Sequence, residues 1–107
     1  MDLPKVIQNL VQAQNEFDSA AYANCFSEAA VVFDEGNKHT GRNEIAQWIA
    51  EANEAYNAVM KSINFEERET ESLLTAEISG TFPGSPIVLQ YHLQITDGLI
   101  TSLRITG

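Results

Sequence analysis

The apolar residues of this chain change their spacing at Ala58, and that change restricts the fold more than any other feature. Before it they recur three or four residues apart, as on one face of a helix. After it they alternate, as on one face of a strand. A first segment places Leu3, Val6, Ile7, Leu10, Val11 and Phe17 on one stripe, with Asp2 positioned to cap it and Pro4 in the first turn. Asp18-Ser19 restarts a short helix with Tyr22, Cys25 and Phe26 inward, ending at Ser27-Glu28. A third helix carries Ile45, Trp48, Ile49, Ala52 and Tyr56 on one face, with Glu44, Glu51 and Glu54 off it. Between the last two helices, Ala30 to Phe33 reads as a short buried strand extended by Asp34 and Glu35. Lys38-His39-Thr40-Gly41 reads as a polar loop.

Past Ala58, Val59, Lys61, Ile63 and Phe65 alternate with Met60, Ser62, Asn64 and Glu66. Leu74, Ala76, Ile78 and Phe82 form a second alternation, and after a Pro83-Gly84-Ser85-Pro86 turn Ile87, Leu89, Tyr91, Leu93 and Ile95 form a third. Asp97-Gly98 then stands between two alternating runs, the strongest short hairpin signal there is. It sets a register in which Tyr91, Leu93, Leu103 and Ile105 share the apolar face while His92 and Arg104 look away. The predicted class is α+β: a curved antiparallel sheet with one face covered by three helices. A chain of 107 residues suits one domain, residues 1–107.

Composition narrows the function. The net charge of −9, from 15 acidic and 6 basic residues, opposes nucleic acid and anionic membrane surfaces as partners. No apolar run approaches the roughly 20 residues of a membrane helix. The start, Met1-Asp2-Leu3-Pro4-Lys5, lacks the pattern of a signal peptide, so cytoplasmic residence is expected. Cys25, His39 and His92 match no metal-ligand spacing, and neither a metal nor a cofactor is expected. Cys25, set in an apolar helical pattern, reads as a buried structural thiol. Glu66-Glu67-Arg68-Glu69-Thr70-Glu71 reads as a solvated strand end and turn.

The segment Tyr22-Ala23-Asn24-Cys25-Phe26-Ser27-Glu28-Ala29-Ala30-Val31-Val32-Phe33-Asp34, followed by Gly41-Arg42-Asn43-Glu44-Ile45 and Gly98-Leu99-Ile100-Thr101-Ser102-Leu103-Arg104-Ile105, resembles the nuclear transport factor 2-like superfamily. Within it the chain looks most like the SnoaL-like group of polyketide cyclases. The resemblance spans nearly the whole chain. It implies a cone-shaped (cystatin-like) sheet around a pocket for a small apolar molecule. It also implies an outer sheet face that builds a homodimer. The implied activities are cofactor-independent: isomerase, cyclase, dehydratase or hydrolase acting on a small carbonyl compound or epoxide. The same fold also serves as a non-catalytic binding or dimerisation module, so the site has to be argued separately.

Alignment with ketosteroid isomerase places Asp34 at the general-base position. A carboxylate just inside an apolar cone is partly desolvated, which raises its pKa toward a useful range. Val32, two residues earlier, then supplies a dry wall. The competing reading of Asp34-Glu35-Gly36-Asn37 is a polar strand exit, and a one-residue slip turns Phe33 inward instead. The family's first-helix donor falls at Leu10, which cannot donate. The late-strand donor falls near Tyr91, whose hydroxyl suits a ligand carbonyl or, equally, a backbone acceptor in the core. His39 reads either as a proton shuttle at the pocket mouth or as an ordinary exposed histidine. Trp48 and Tyr56 read as an aromatic wall for a flat ligand or as plain core.

Overall fold

The computed structural model describes residues 2–107. Three helices, α1 (Lys5–Asn15), α2 (Ser19–Asn24) and α3 (Gly41–Tyr56), accompany six strands. The strands are β1 (Phe26–Asp34), β2 (Asn37–Thr40), β3 (Val59–Glu67), β4 (Ser72–Ser79), β5 (Ile87–Thr96) and β6 (Leu99–Thr106). They form one sheet in the order β2-β1-β6-β5-β4-β3. The expected α+β architecture is therefore what the chain adopts. One junction departs from antiparallel pairing: β1 runs parallel to β6.

Local chemistry explains where the element boundaries differ from those read off the sequence. The first helix is not capped by Asp2. Its N-cap residue is Pro4, whose carbonyl accepts from Ile7 and Gln8 N–H at 3.0 Å each. Proline disfavours the helical region for the residue before it, so α1 cannot reach back past Leu3. The same helix stops before Phe17, which lies in the left-handed region at φ 54° and is exposed rather than on the buried stripe. Phe17 N–H bonds Gln14 O and Asp18 N–H bonds Ala13 O, a Schellman ending in which phenylalanine occupies the usual glycine position. Asp18 then caps α2, its Oδ1 accepting from Ala21 N–H at 3.0 Å.

The second helix ends at Asn24, not at Ser27-Glu28, because strand pairing takes over at Phe26. Ile100 N–H donates to Cys25 O at 2.9 Å, and Phe26 faces Ile100 across the parallel junction. Lys38, His39 and Thr40 are strand residues, not loop. Glu35 (φ 52°) and Gly36 (φ 78°) make a two-residue turn that folds β2 back on β1, pairing Asp34 with Asn37. Glu-Gly is a weaker hairpin signal than Asn-Gly or Asp-Gly, which is why the turn was not legible. Asp97 (φ 52°) and Gly98 (φ 78°) form the expected turn, with Thr96 paired to Leu99.

In β3 the outward residues are Val59 and Ile63, while Met60 packs into the core. An irregularity between Ser62 and Asn64 then shifts the alternation so that Phe65 packs against the core cluster. The register between β5 and β6 places Tyr91, Leu93, Leu103 and Ile105 on the concave face. Leu93 and Leu103 are completely buried, as are Ile7, Leu10, Phe26 and Ile45 from the covering elements. Arg104 is exposed on the convex face, where His92 Nε2 lies 3.0 Å from Thr106 Oγ1 and its Nδ1 lies 3.4 Å from Glu71. Phe33 and Val88 point outward on the same side and are exposed.

Candidate functional site

The concave face is not filled throughout. Between α3, the β4–β5 connection and the strands lies a cavity of about 320 Å3. Its rim is made by exposed Glu35, Tyr56, Pro83 and Ile87. Tyr56 meets Phe82 edge-on, with ring centroids 6.0 Å apart, so an aromatic pair flanks the opening. The walls are mostly apolar, with Ile49, Ala52, Ile78, Leu89 and Ile105 among them. A larger groove of about 510 Å3 runs along α1 and α2, and its charged residues, Lys5 and Glu16, are exposed.

Asp34 lies in the cavity wall at the end of β1, on the same face as Val32. It is half-buried. Burial raises its carboxyl above the ordinary value, and the neighbouring Glu35 carboxylate adds to that rise. A hydrogen-bonding pull from Trp48 and the proximity of His39 partly offset it. No lysine or arginine is among the residues lining the cavity to hold the carboxylate ionised. This is the arrangement by which a desolvated acid becomes a stronger base.

Two phenols share the cavity with it. Tyr91, from β5, is 6% exposed, and burial followed by the charge of Asp34 pushes its pKa well above normal. Tyr22, from α2, is 2% exposed and is raised likewise, by burial first and then by Tyr91, Cys25 and Asp34. Both therefore keep their protons at neutral pH. Tyr22 was read in the sequence only as a core residue. A hydroxyl on an otherwise apolar stripe was the available signal.

Trp48 and Tyr56 also line the cavity. Trp48 is braced between Tyr22, edge-on at 6.1 Å, and His39, stacked at 5.5 Å and 27°. His39 thus stands behind Trp48 and is not itself a lining residue. Val32 is completely buried and belongs to the closed part of the core, also away from the lining. Cys25 is buried and its thiol is pushed up to about 11 by desolvation, the opposite of an activated nucleophile. Among the described residues, no group of three or more His, Cys, Asp or Glu could hold a metal ion. No helix among them is long and apolar enough to cross a membrane.

A helix-backed cone of this topology with a one-sided cavity defines the class of small nuclear transport factor 2-like domains. A provisionally named polyketide cyclase from Sinorhizobium meliloti superposes with a TM-score of 0.93 at 36% identity, over 99% of this chain and 97% of that one. The chain belongs to the nuclear transport factor 2-like superfamily, in its SnoaL-like polyketide cyclase group. A protein with a ketosteroid isomerase-like fold from Catenulispora acidiphila, in complex with trimethylamine, shares the fold at 18% identity and a TM-score of 0.88, covering 99% and 87% of the two chains. A nuclear transport factor 2-like protein from Cytophaga hutchinsonii does so at 15% identity and 0.77, covering 94% and 85%. No protein-family model and no curated protein sequence matches the chain.

Proposed function

We propose that the cavity binds a small, largely apolar carbonyl compound and that Asp34 moves a proton on it as a general base, without a cofactor. The observation that carries the proposal is a carboxylate with a raised pKa in the wall of a cavity of about 320 Å3. The ionised Asp34 takes a proton from the carbon beside the carbonyl. The C–H electron pair moves into the new C=C bond, and the carbonyl π pair moves onto oxygen. Tyr91 and Tyr22, both protonated, donate to that oxygen as charge develops there. Return of the proton from Asp34 to another carbon gives an isomerisation; attack of the enolate carbon on a second carbonyl, whose π pair moves onto its oxygen and takes the proton back from Asp34, gives a cyclisation. Trp48 and Tyr56 supply flat surfaces for a ring. The Sinorhizobium relative, named for polyketide cyclisation, supports a carbonyl-rich substrate.

The test uses 2-tetralone, an enolisable bicyclic ketone, in deuterated buffer. Exchange of its α-protons, followed by proton NMR, is expected to be accelerated by the protein. Asp34→Asn should lower that acceleration by a factor of about 10² to 10⁴, the usual contribution of a positioned general base. An acceleration that survives the substitution rules out Asp34 as the base.

A further inference from the structure

The cavity contains a second polar group that proton transfer does not use. Gln14 on α1 and Asn53 on α3 both line it, at 8% and 9% exposure, and they are the two buried polar side chains of the described core that are neither aromatic nor thiol. Asn53 falls four residues after Ile49, and Gln14 four after Leu10, so each sits where its helix stripe calls for an apolar residue. Burying two amides in such positions is costly unless they are satisfied.

Their orientation follows from the hydrogen bonds. Gln14 Nε2 donates to the Ala58 carbonyl at 2.7 Å, and a carbonyl can only accept, so the amide nitrogen must face it. The other Nε2 hydrogen goes to Asn53 Oδ1 at 3.0 Å. Both hydrogens of Gln14 and the oxygen of Asn53 are thereby used. Gln14 Oε1 and Asn53 Nδ2 make no hydrogen bond among the described residues, which leaves the pair one free acceptor and one free donor; Asn53 also borders a shallow groove with Phe17 and Ser19.

This pair is separated from the Asp34 end of the cavity. Asn53 is five residues beyond Trp48 on α3, about 7.5 Å along the helix axis. Gln14 is tied to Ala58, the residue before β3, whereas Asp34 ends β1, and three strands lie between those two in the sheet. The cavity lining also includes the apolar side chains Ile49, Ala52, Ile78 and Leu89. The charged residues lining the cavity, Asp34 and Glu35, are both acidic, so a ligand carboxylate beside the amides would be buried without a counter-charge. A hydroxyl both donates and accepts, and it carries no charge.

We infer that the Gln14–Asn53 pair is a second polar subsite that selects a ligand bearing a hydroxyl group at the end remote from its carbonyl. Resting on the proton-transfer function proposed above, this narrows the substrate class to hydroxylated carbonyl compounds with an apolar middle. The uncommitted oxygen of Gln14 accepts from the ligand hydroxyl, and Asn53 Nδ2 donates to it.

The probes are 2-tetralone and its 6-hydroxy and 7-hydroxy derivatives, with affinities measured by titration against the whole protein. At least one hydroxylated probe should bind about tenfold tighter than the parent, the yield of two modest neutral hydrogen bonds. In Asn53→Asp the bond from Gln14 Nε2 is kept and the free donor becomes an acceptor. In Gln14→Met the free acceptor is lost. In each, the preference for the hydroxylated probe should fall to about one. Because the preference is a ratio within one variant, general damage to the fold affects both probes alike. The side-chain amide signals of Gln14 and Asn53 in nitrogen-15 NMR should move with the hydroxylated probe and not with the parent. Equal binding of all three probes, absence of binding, or a preference that persists in both variants overturns the subsite. Failure of Asp34 as base leaves a different trace: no exchange, with the hydroxyl preference intact.

Discussion

The two halves of the concave face are built on one pattern and end in opposite states. Around the pairing of Val32 on β1 with Leu103 on β6 it is closed: these two, Ile100 and, from α1 and α3, Leu10 and Ile45 are completely buried. Towards β4 and the C-terminal part of α3 it is hollow. There, small residues such as Ala52 and Ala58 line space instead of filling it. Four buried residues with polar side-chain groups line the hollow side: Gln14, Tyr22, Asn53 and Tyr91. The contrast separates two tasks. Burial in the closed half holds the cone together, and the open half is free to carry groups that would be liabilities in a packed core.

The largest effect on stability is expected in the closed half. Leu103, at 0% exposure beside Leu93 and Val32, is surrounded on the concave side. Leu103→Ala should cost about 2–5 kcal/mol of folding free energy, from lost burial plus the cavity left behind. Urea denaturation gives that value directly. The exchange activity per folded molecule should be unchanged, the mirror image of Asp34→Asn. A loss much below 2 kcal/mol would mean that the closed half is also loosely packed and that the division between halves is false.

How far this division was legible in the sequence depended on which physical signal each residue carried. The period change at Ala58 and the Asp97-Gly98 turn were enough to place Tyr91, Leu93, Leu103 and Ile105 on the concave face. Both signals are local and repeat over many residues. Asp34 was legible as a candidate but not in its facing, because a short strand has few alternations and a slip by one residue inverts it. The Glu35-Gly36 turn, which fixes that facing by pairing Asp34 with Asn37, lacks the common hairpin residues. His39 behind Trp48, and Val32 away from the cavity, depend on where α3 crosses the sheet. No local pattern reports that crossing. Gln14 and Asn53 had a readable anomaly, a polar residue on an apolar stripe. Only the tertiary contact between them shows that the anomaly is shared.

A smaller effect should come from making the open half resemble the closed one. Ala52 is half-buried in the cavity wall on α3, and leucine at that position suits a helix almost as well as alanine. Ala52→Leu extends the side chain into the cavity. The added burial, about 0.8 kcal/mol per methylene at most, is opposed by the strain of fitting a branched chain between fixed walls. A net stabilisation of about 1 kcal/mol is expected in urea, together with loss of tetralone binding. If binding survives, the ligand occupies some other part of the cavity.

The smallest effect is one of sign. Asp34 has its pKa raised in the folded protein above the ordinary 3.8. The folded state therefore holds this proton more tightly than the unfolded chain does. As pH rises through 3.8 the unfolded chain ionises first, and stability falls until the folded carboxyl has also ionised. Beyond that point the penalty is constant. The other acidic residues add their own slopes, so the measurable quantity is the difference between wild type and Asp34→Asn at each pH. Wild type minus variant should decline from about pH 3.5 upward and then level off, read from urea midpoints. A difference that rises with pH would show that Asp34 is held ionised by an attractive partner. A flat one would show a carboxylate as well solvated as in the unfolded chain. Either result would remove the electrostatic distinction between the hollow half and the surface, and with it the reason for assigning a base to that end of the cavity.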